Sequence, residues 1–123
     1  GGADAVSAIN TVIGMSIDID TRKSKLFTNI GGLSGPAIKP IAIANIYKLY
    51  KSINIPIIGI GGISCVEDVI EFILAGAHLV QIGTRNYTNP NAGVEIANQL
   101  SDYCKRNNFK NLNDLKCKMI PND

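Results

Sequence analysis

The chain has 123 residues, of which 46% are hydrophobic and 18% are charged, and its formal net charge is +2. These values are typical of one folded domain and exclude a disordered chain. The basic residues are dispersed, so we expect no nucleic-acid partner, and the apolar runs fall short of the ~20 residues that cross a bilayer. Three cysteines without a CxxC spacing argue against a disulfide framework or a zinc site. They favour a reducing, cytoplasmic compartment.

The N-terminal third is predicted to form one buried strand and a hairpin. Residues 3–10 are a short apolar run, which is typical of a buried strand ending at Asn10 and Thr11. Residues 17–20 alternate Ile with Asp, which predicts a half-exposed strand, and residues 25–28 are predicted to be its return strand. Asp18 and Asp20 are then expected on the solvated face of this hairpin.

Helices and buried strands alternate through the middle of the chain. After a glycine-rich loop at residues 31–36, apolar residues at helical spacing predict a helix from about residue 38 to residue 52. Residues 55–60 are apolar on both faces, which is typical of a parallel strand covered on both sides. Ser64 and Glu67 match a capping box at the start of a second helix, and Gly76 lies where that helix should end.

A third strand–helix unit and a short tail complete the order. Residues 79–82 are predicted to form a third buried strand, and a short helix is expected near residues 113–118. Asn89 as the cap and Pro90 at the first helical position predict the start of a last long helix. Repeated strand–helix units predict an α/β fold with a parallel sheet, but three strands can neither close a barrel nor cover both sheet edges.

The carboxyl ends of the predicted strands carry residues that indicate a ligand site, because ligands of parallel α/β folds bind at that edge. Gly61 and Gly62 precede a helix, where small residues let backbone N–H groups approach a phosphate. Gly83 and Thr84 repeat this pattern after the next strand. The alternative is that each glycine only serves a tight turn, which is the commoner role of a single pair.

Four other residues have weaker patterns. Asn10 offers donors and an acceptor to an amide or carboxylate ligand, but a turn-forming Asn followed by a capping Thr11 explains the pair equally well. His78 is expected on the surface after a helix. Cys65 is expected to be a buried structural thiol, since no base stands near it in the sequence.

Four strings along nearly the whole chain resemble the class 1 dihydroorotate dehydrogenases. They are INT at residues 9–11, GGLSGPAIKP at 31–40, IIGIGGI at 57–63, and AGA at 75–77 leading to VQIGT at 80–84. A lone GG or GT is weak evidence, whereas the complete ordered set is specific. The resemblance implies that residues 1–123 are one partial domain, the C-terminal part (about strands six to eight with their helices) of an FMN-binding (β/α)₈ TIM barrel. We therefore expect the chain, which opens on Gly1 without a methionine or a signal peptide, to begin inside a longer polypeptide.

The same resemblance implies which residues bind the ligands. Asn10 and Thr11 would contact the pyrimidine substrate. Six residues would bind FMN, the first two lining the flavin and the others holding its phosphate: Ile9, Gly35, Gly61, Gly62, Gly83 and Thr84. No metal ligand and no catalytic residue is expected here, because the family's base, a Cys or Ser, and its flavin-contacting lysines lie in the N-terminal half. The chain alone is therefore expected to be inactive.

The resemblance also implies an activity and partners. The family's enzymes are oxidoreductases that oxidise dihydroorotate to orotate in pyrimidine biosynthesis, with FMN as the hydride acceptor. The motifs are most similar to the NAD-linked class 1B, whose catalytic subunit pairs with a subunit carrying FAD and an iron–sulfur cluster. The full-length protein is then expected to be a homodimer or a heterotetramer. Three alternatives stay open: a related FMN barrel such as dihydropyrimidine dehydrogenase, an inactive partial-barrel fragment, and a phosphate-binding barrel without flavin.

Overall fold

The computed structural model describes residues 1–122 of the chain. Its strands are β1 (Val6–Ala8), β2 (Val12–Gly14), β3 (Gly31–Leu33), β4 (Ile57–Ile60) and β5 (Leu79–Gln81). Its α-helices are α1 (Lys39–Ser52), α2 (Val66–Ala75), α3 (Arg85–Thr88) and α4 (Ala92–Arg106). Two short 3₁₀ helices cover Pro36–Ile38 and Leu112–Asp114, the second near the short helix predicted in the tail.

The central feature is a parallel sheet with the strand order β1-β4-β5. Val6 pairs with Ile57 in β4, and Ile58 of the same strand pairs with Leu79 in β5. The connections run through helices, as parallel neighbours require. The α/β class and the parallel sheet predicted from the sequence are therefore confirmed, and the carboxyl ends of all three strands meet at one edge.

The core lies between this sheet and helices α1 and α2. Ile46 of α1, Ile57 of β4 and Phe72 of α2 are fully buried. Gly59 lets α2 approach the sheet closely, because a side chain at this position would collide with the Phe72 ring. The predicted helix over residues 38–52 and the predicted end of the second helix are confirmed. Gly76 adopts a left-handed φ of 117°, the conformation that ends a helix at low cost for glycine.

The hairpin exists, but its predicted strands were wrong. The antiparallel pair is β2 with β3, so residues 17–20 and 25–28 lie in the loop between them, joined only by an isolated bridge from Ile17 to Ser24. Asp18 is exposed as expected, but it closes a turn by accepting hydrogen bonds from the backbone N–H groups of Asp20 and Thr21. Local turn hydrogen bonds of this kind compete with strand pairing, which explains why the Ile–Asp alternation does not extend into a ladder.

Two helix starts were also predicted at the wrong residues. The cap of α2 is Cys65 with Asp68, one position after the predicted pair Ser64 and Glu67. Asp68 is 5% exposed, and its Oδ2 accepts hydrogen bonds from the backbone N–H groups of Ser64 and Cys65. Asp68 is therefore the acidic partner of the cap instead of the exposed Glu67, because its carboxylate accepts from two backbone N–H groups that have no partner within the helix. Cys65 itself is half-buried rather than buried.

The last long helix begins at Ala92, with Asn91 as its cap, rather than at Asn89. Asn89 acts from outside the helix, since its Oδ1 accepts the Asn91 N–H and its Nδ2 donates to Glu95. The sequence also failed to predict the one-turn helix α3, which occupies the segment between Thr84 and Asn89. Short helices of this length carry too few periodic positions to be predicted from a pattern.

The third strand is an edge strand rather than a buried one. No further strand pairs with β5 within residues 1–122. Leu79 is 63% exposed, because it pairs with Ile58 on the sheet face opposite the one where Gly59 meets Phe72 of α2. His78, expected on the surface, is half-buried, donates its backbone N–H to Ile57 O and accepts the Ile57 N–H at its Nδ1. Burial, with a contribution from Lys116, lowers the pKa of His78, so the neutral ring that can accept this bond is favoured. None of the helices in residues 1–122 is long and apolar enough to pass through a membrane.

Candidate functional site

A cleft of about 520 Å³ opens at the carboxyl ends of the parallel strands. All eight residues predicted to bind substrate or cofactor line it, together with four that the sequence did not single out. The lining residues are Ser7, Ile9, Asn10, Thr11, Ser34, Gly35, Ile38, Ile60, Gly61, Gly62, Gly83 and Thr84. The structure therefore brings the end of β1, the loop after β3, and the ends of β4 and β5 to one place.

Asn10 and Thr11 lie on the exposed rim of this cleft, one residue beyond the end of β1. The Asn10 Oδ1 accepts the Thr11 N–H at 2.7 Å, which orients the amide group locally. Gly32 of β3 permits the hairpin to pass close by, because a side chain at this position would collide with Thr11. The Asn10 amide nitrogen has no hydrogen-bond acceptor within residues 1–122, so its donors are available to a ligand.

Gly61 and Gly62 form the part of the cleft between β4 and α2. Both adopt left-handed φ values, 133° and 76°. A Cβ at Gly62 would lie 2.8 Å from Gly35 O and 2.9 Å from Lys39 N, so the loops pack backbone to backbone. Only glycine combines this conformation with this approach.

Gly83 and Thr84 form the opposite side, after β5. The Thr84 hydroxyl donates to Ser34 Oγ at 2.9 Å and so ties this side to the loop after β3. A Cβ at Gly83 would meet nothing within 4 Å, so the backbone there borders open space. Among residues 1–122, no hydrogen bond uses the backbone N–H of Gly62, Gly83 or Thr84, and these donors remain free.

A second, smaller cleft of about 250 Å³ adjoins the first one. The two clefts share Gly35, Gly62, Gly83 and Thr84. The smaller cleft is extended by the start of α2 and by α3, through Ile63, Ser64, Arg85 and Thr88 with Pro36. The glycine pairs therefore separate a larger opening beside β1 from a smaller one beside α3.

An ion-pair cluster fixes the loop that carries Gly61 and Gly62. Lys39 Nζ lies 2.7 Å from Asp68 Oδ1 and 2.7 Å from Glu71 Oε1. Burial would raise the pKa of Asp68, but the hydrogen bonds from Lys39, Ser64 and Cys65 outweigh it and hold that pKa well below its usual range. The hydrogen bonds that Lys39 donates to the carboxylates of Asp68 and Glu71 raise its pKa. The start of α1 is thus clamped to the start of α2 across the glycine loop.

Several residues of chemical interest lie outside both clefts. Asp18, Asp20 and His78 line neither of them, and Cys65 lines a separate surface groove instead. Burial raises the pKa of the Cys65 thiol, which disfavours the reactive thiolate. Residues 1–122 contain no group of three or more His, Cys, Asp or Glu placed to hold a metal ion.

Comparison with known proteins gives the family. The family model described as dihydroorotate dehydrogenase matches residues 1–103. The chain belongs to the dihydroorotate dehydrogenase family. It is 49% identical to a Parabacteroides distasonis protein and 53% identical to one from Caldicellulosiruptor bescii, both named dihydroorotate dehydrogenase B (NAD(+)), catalytic subunit. Each alignment covers 93% of this chain. The predicted family and the likeness to its NAD-linked branch are confirmed.

A solved dihydroorotate dehydrogenase has a similar fold. The crystal structure of DHODH from Eimeria tenella in complex with ferulenol matches 95% of this chain with a TM-score of 0.77 and 26% identity. The chain covers 31% of that structure and 37% to 38% of the two bacterial relatives. It therefore spans about a third of the length of the dihydroorotate dehydrogenases that it matches.

Proposed function

We propose that this chain is the C-terminal portion of a (β/α)₈ barrel, about strands six to eight, in a dihydroorotate dehydrogenase. Both outer strands of its parallel sheet, β1 and β5, lack an outer partner within residues 1–122. Leu79 on β5 is also 63% exposed, on the sheet face opposite α2. Closure into a barrel with strands from the rest of a longer polypeptide would remove both edges.

We infer that the cleft binds FMN, with its phosphate at the two glycine pairs. The fit rests on three observations: the free backbone N–H groups of Gly62, Gly83 and Thr84, the open space beside Gly83, and the close backbone packing at Gly62. Backbone donors of this kind stabilise a phosphate without the bulk of side chains. Gly61 belongs to the same phosphate site, which is formed by the backbone of Gly61, Gly62, Gly83 and Thr84. Ile9 and Gly35 would then line the flavin.

The proposed reaction is the oxidation of dihydroorotate to orotate in pyrimidine biosynthesis. Bound FMN would supply the acceptor for the hydride. Within this chain, Asn10 and Thr11 would hold the pyrimidine by hydrogen bonds from the rim of the cleft, since the Asn10 amide donors are free. The base that removes the substrate proton would lie outside this chain, in the N-terminal half where the family resemblance places it. Cys65, which lies away from the cleft, would not take that role. The chain alone would therefore be inactive.

The observation that carries this proposal is the convergence of all eight predicted residues on one cleft. Both named bacterial relatives are NAD-linked catalytic subunits, so a partner subunit with FAD and an iron–sulfur cluster is the proposed electron acceptor. The same names favour dihydroorotate over the dihydropyrimidines as the substrate. A heterotetramer is the proposed assembly, and the cytoplasm the proposed compartment.

Substitution of Asn10 tests the substrate side of the proposal. In the full-length protein, Asn10→Ala is expected to raise the Kd for orotate by roughly 10- to 100-fold, the loss of one or two hydrogen bonds to a charged ligand. FMN content should not change. The measurement is titration of the flavin spectrum with orotate. Asn98→Ala, on the exposed face of α4, is the matched control. Unchanged orotate binding in Asn10→Ala would contradict the assignment.

A further inference from the structure

We propose that Arg85 binds the phosphate of the cofactor from the smaller cleft, as the positive charge of a site otherwise built from backbone N–H groups. The inference rests on the proposed FMN function and adds the residue that distinguishes a phosphorylated flavin from an unphosphorylated one. It names a side chain that neither the sequence motifs nor the glycine pairs indicate.

Arg85 lies beside the backbone donors of the glycine pairs. Arg85 follows Thr84 directly and lines the smaller cleft together with Gly62, Gly83 and Thr84. These three residues carry the free backbone N–H groups and also line the larger cleft. Arg85 can therefore reach, from the side of α3, a phosphate that those donors bind at the boundary between the clefts.

The two clefts contain very little charge. Arg85 is the one charged residue that lines either cleft within residues 1–122. Lys39, at the neighbouring start of α1, is already paired with Asp68 and Glu71 at 2.7 Å each. A phosphate monoester carries a charge of about −1.5 to −2 at neutral pH, and backbone dipoles alone supply only partial positive charges. Arg85 offers the full positive charge that the rest of the site lacks.

The Arg85 guanidinium is available to bind a ligand. Arg85 is exposed, and within residues 1–122 its guanidinium forms no ion pair with a carboxylate. Its one side-chain hydrogen bond is a long one, 3.3 Å from Nη1 to Thr88 Oγ1. Thr88 also lines the smaller cleft, so this bond holds the guanidinium on that side of α3. A planar fork with four further N–H donors is suited to bidentate phosphate recognition.

The test compares FMN with riboflavin, which has the same flavin but no phosphate. In the full-length apoprotein, Arg85→Gln is expected to raise the Kd of FMN by roughly 10- to 100-fold, the range of charge-assisted hydrogen bonds. The Kd of riboflavin should not change. The Kd of FMN for Arg85→Lys should lie between those of the wild type and Arg85→Gln, because lysine keeps the positive charge but lacks the planar guanidinium that binds phosphate through two hydrogen bonds. Flavin fluorescence titration gives all the constants.

Arg106→Gln, at the end of α4 and outside both clefts, is the matched control and should bind FMN like the wild type. Added salt should weaken FMN binding more in the wild type than in Arg85→Gln. If the wild type prefers FMN over riboflavin and Arg85→Gln keeps that preference, the role of Arg85 is wrong while the FMN site stands. If the wild type binds neither flavin, both the site and the role of Arg85 are wrong.

Discussion

Replacing Gly62 with valine is expected to lower the free energy of unfolding of the full-length protein by about 2–5 kcal/mol and to abolish FMN binding. Gly62 has a φ of 76°, which a β-branched residue adopts only with strain. A Cβ there would also lie 2.8 Å from Gly35 O and 2.9 Å from Lys39 N. These are backbone atoms, so no side-chain rotation relieves the contact, and the loop must move away from the cleft.

Urea denaturation followed by FMN titration measures both effects. Gly93→Ala is the control, because Gly93 lies in the first turn of α4 with open space around it. That substitution should stabilise the protein by about 0.5–1 kcal/mol and leave FMN binding unchanged. If Gly62→Val had wild-type stability and wild-type FMN affinity, the loop that carries Gly62 would not form part of the phosphate site.

Asp68→Asn is expected to cost about 2–4 kcal/mol of stability, because Asp68 is nearly buried and carries the negative charge that holds Lys39. Its Oδ2 also accepts two backbone N–H groups at the start of α2, which an amide satisfies only in part. Glu71→Gln is the matched control. Its side chain is 47% exposed, so the same loss of charge should cost less than about 1 kcal/mol.

The stability contribution of Asp68 should depend on pH in one direction. Its pKa in the folded chain is held below the unfolded value of about 3.9, so its stabilising effect is complete well above that value. The effect declines once the pH falls below the unfolded value and is lost as the pH falls through the lower pKa of the folded chain. The difference in unfolding free energy between wild type and Asp68→Asn should therefore be largest near neutral pH and shrink below about pH 4. A difference that stays constant down to pH 2 would contradict the ion-pair assignment.

The order of the three parallel strands and the long helices, and the sheet edge that carries the candidate site, could be predicted because they depend on local signals. The apolar stretch at β4, the helical spacing in α1 and the glycine after α2 each appear within one short window of sequence. Parallel strands then align their carboxyl ends without further information. The positions of Gly61, Gly62, Gly83 and Thr84 in one cleft follow from this topology.

The features that could not be predicted depend on contacts between distant residues. Asp68 acts through Lys39, which lies 29 positions earlier, and no local pattern joins the two. Strand β3 begins with two glycines, which disfavour strands in general, and it forms only because it pairs with β2. Arg85 lies in a helix of four residues, whose position beside the glycine pairs is a property of the folded chain.

The most direct test of the account is the spectrum of the purified full-length protein before and after anaerobic addition of dihydroorotate. We expect a flavin spectrum that dihydroorotate bleaches, and an Asn10→Ala variant that keeps the flavin but needs more dihydroorotate for the same bleaching. A full-length protein without flavin, or with a flavin that dihydroorotate leaves oxidised, would contradict the proposal that this cleft serves dihydroorotate oxidation.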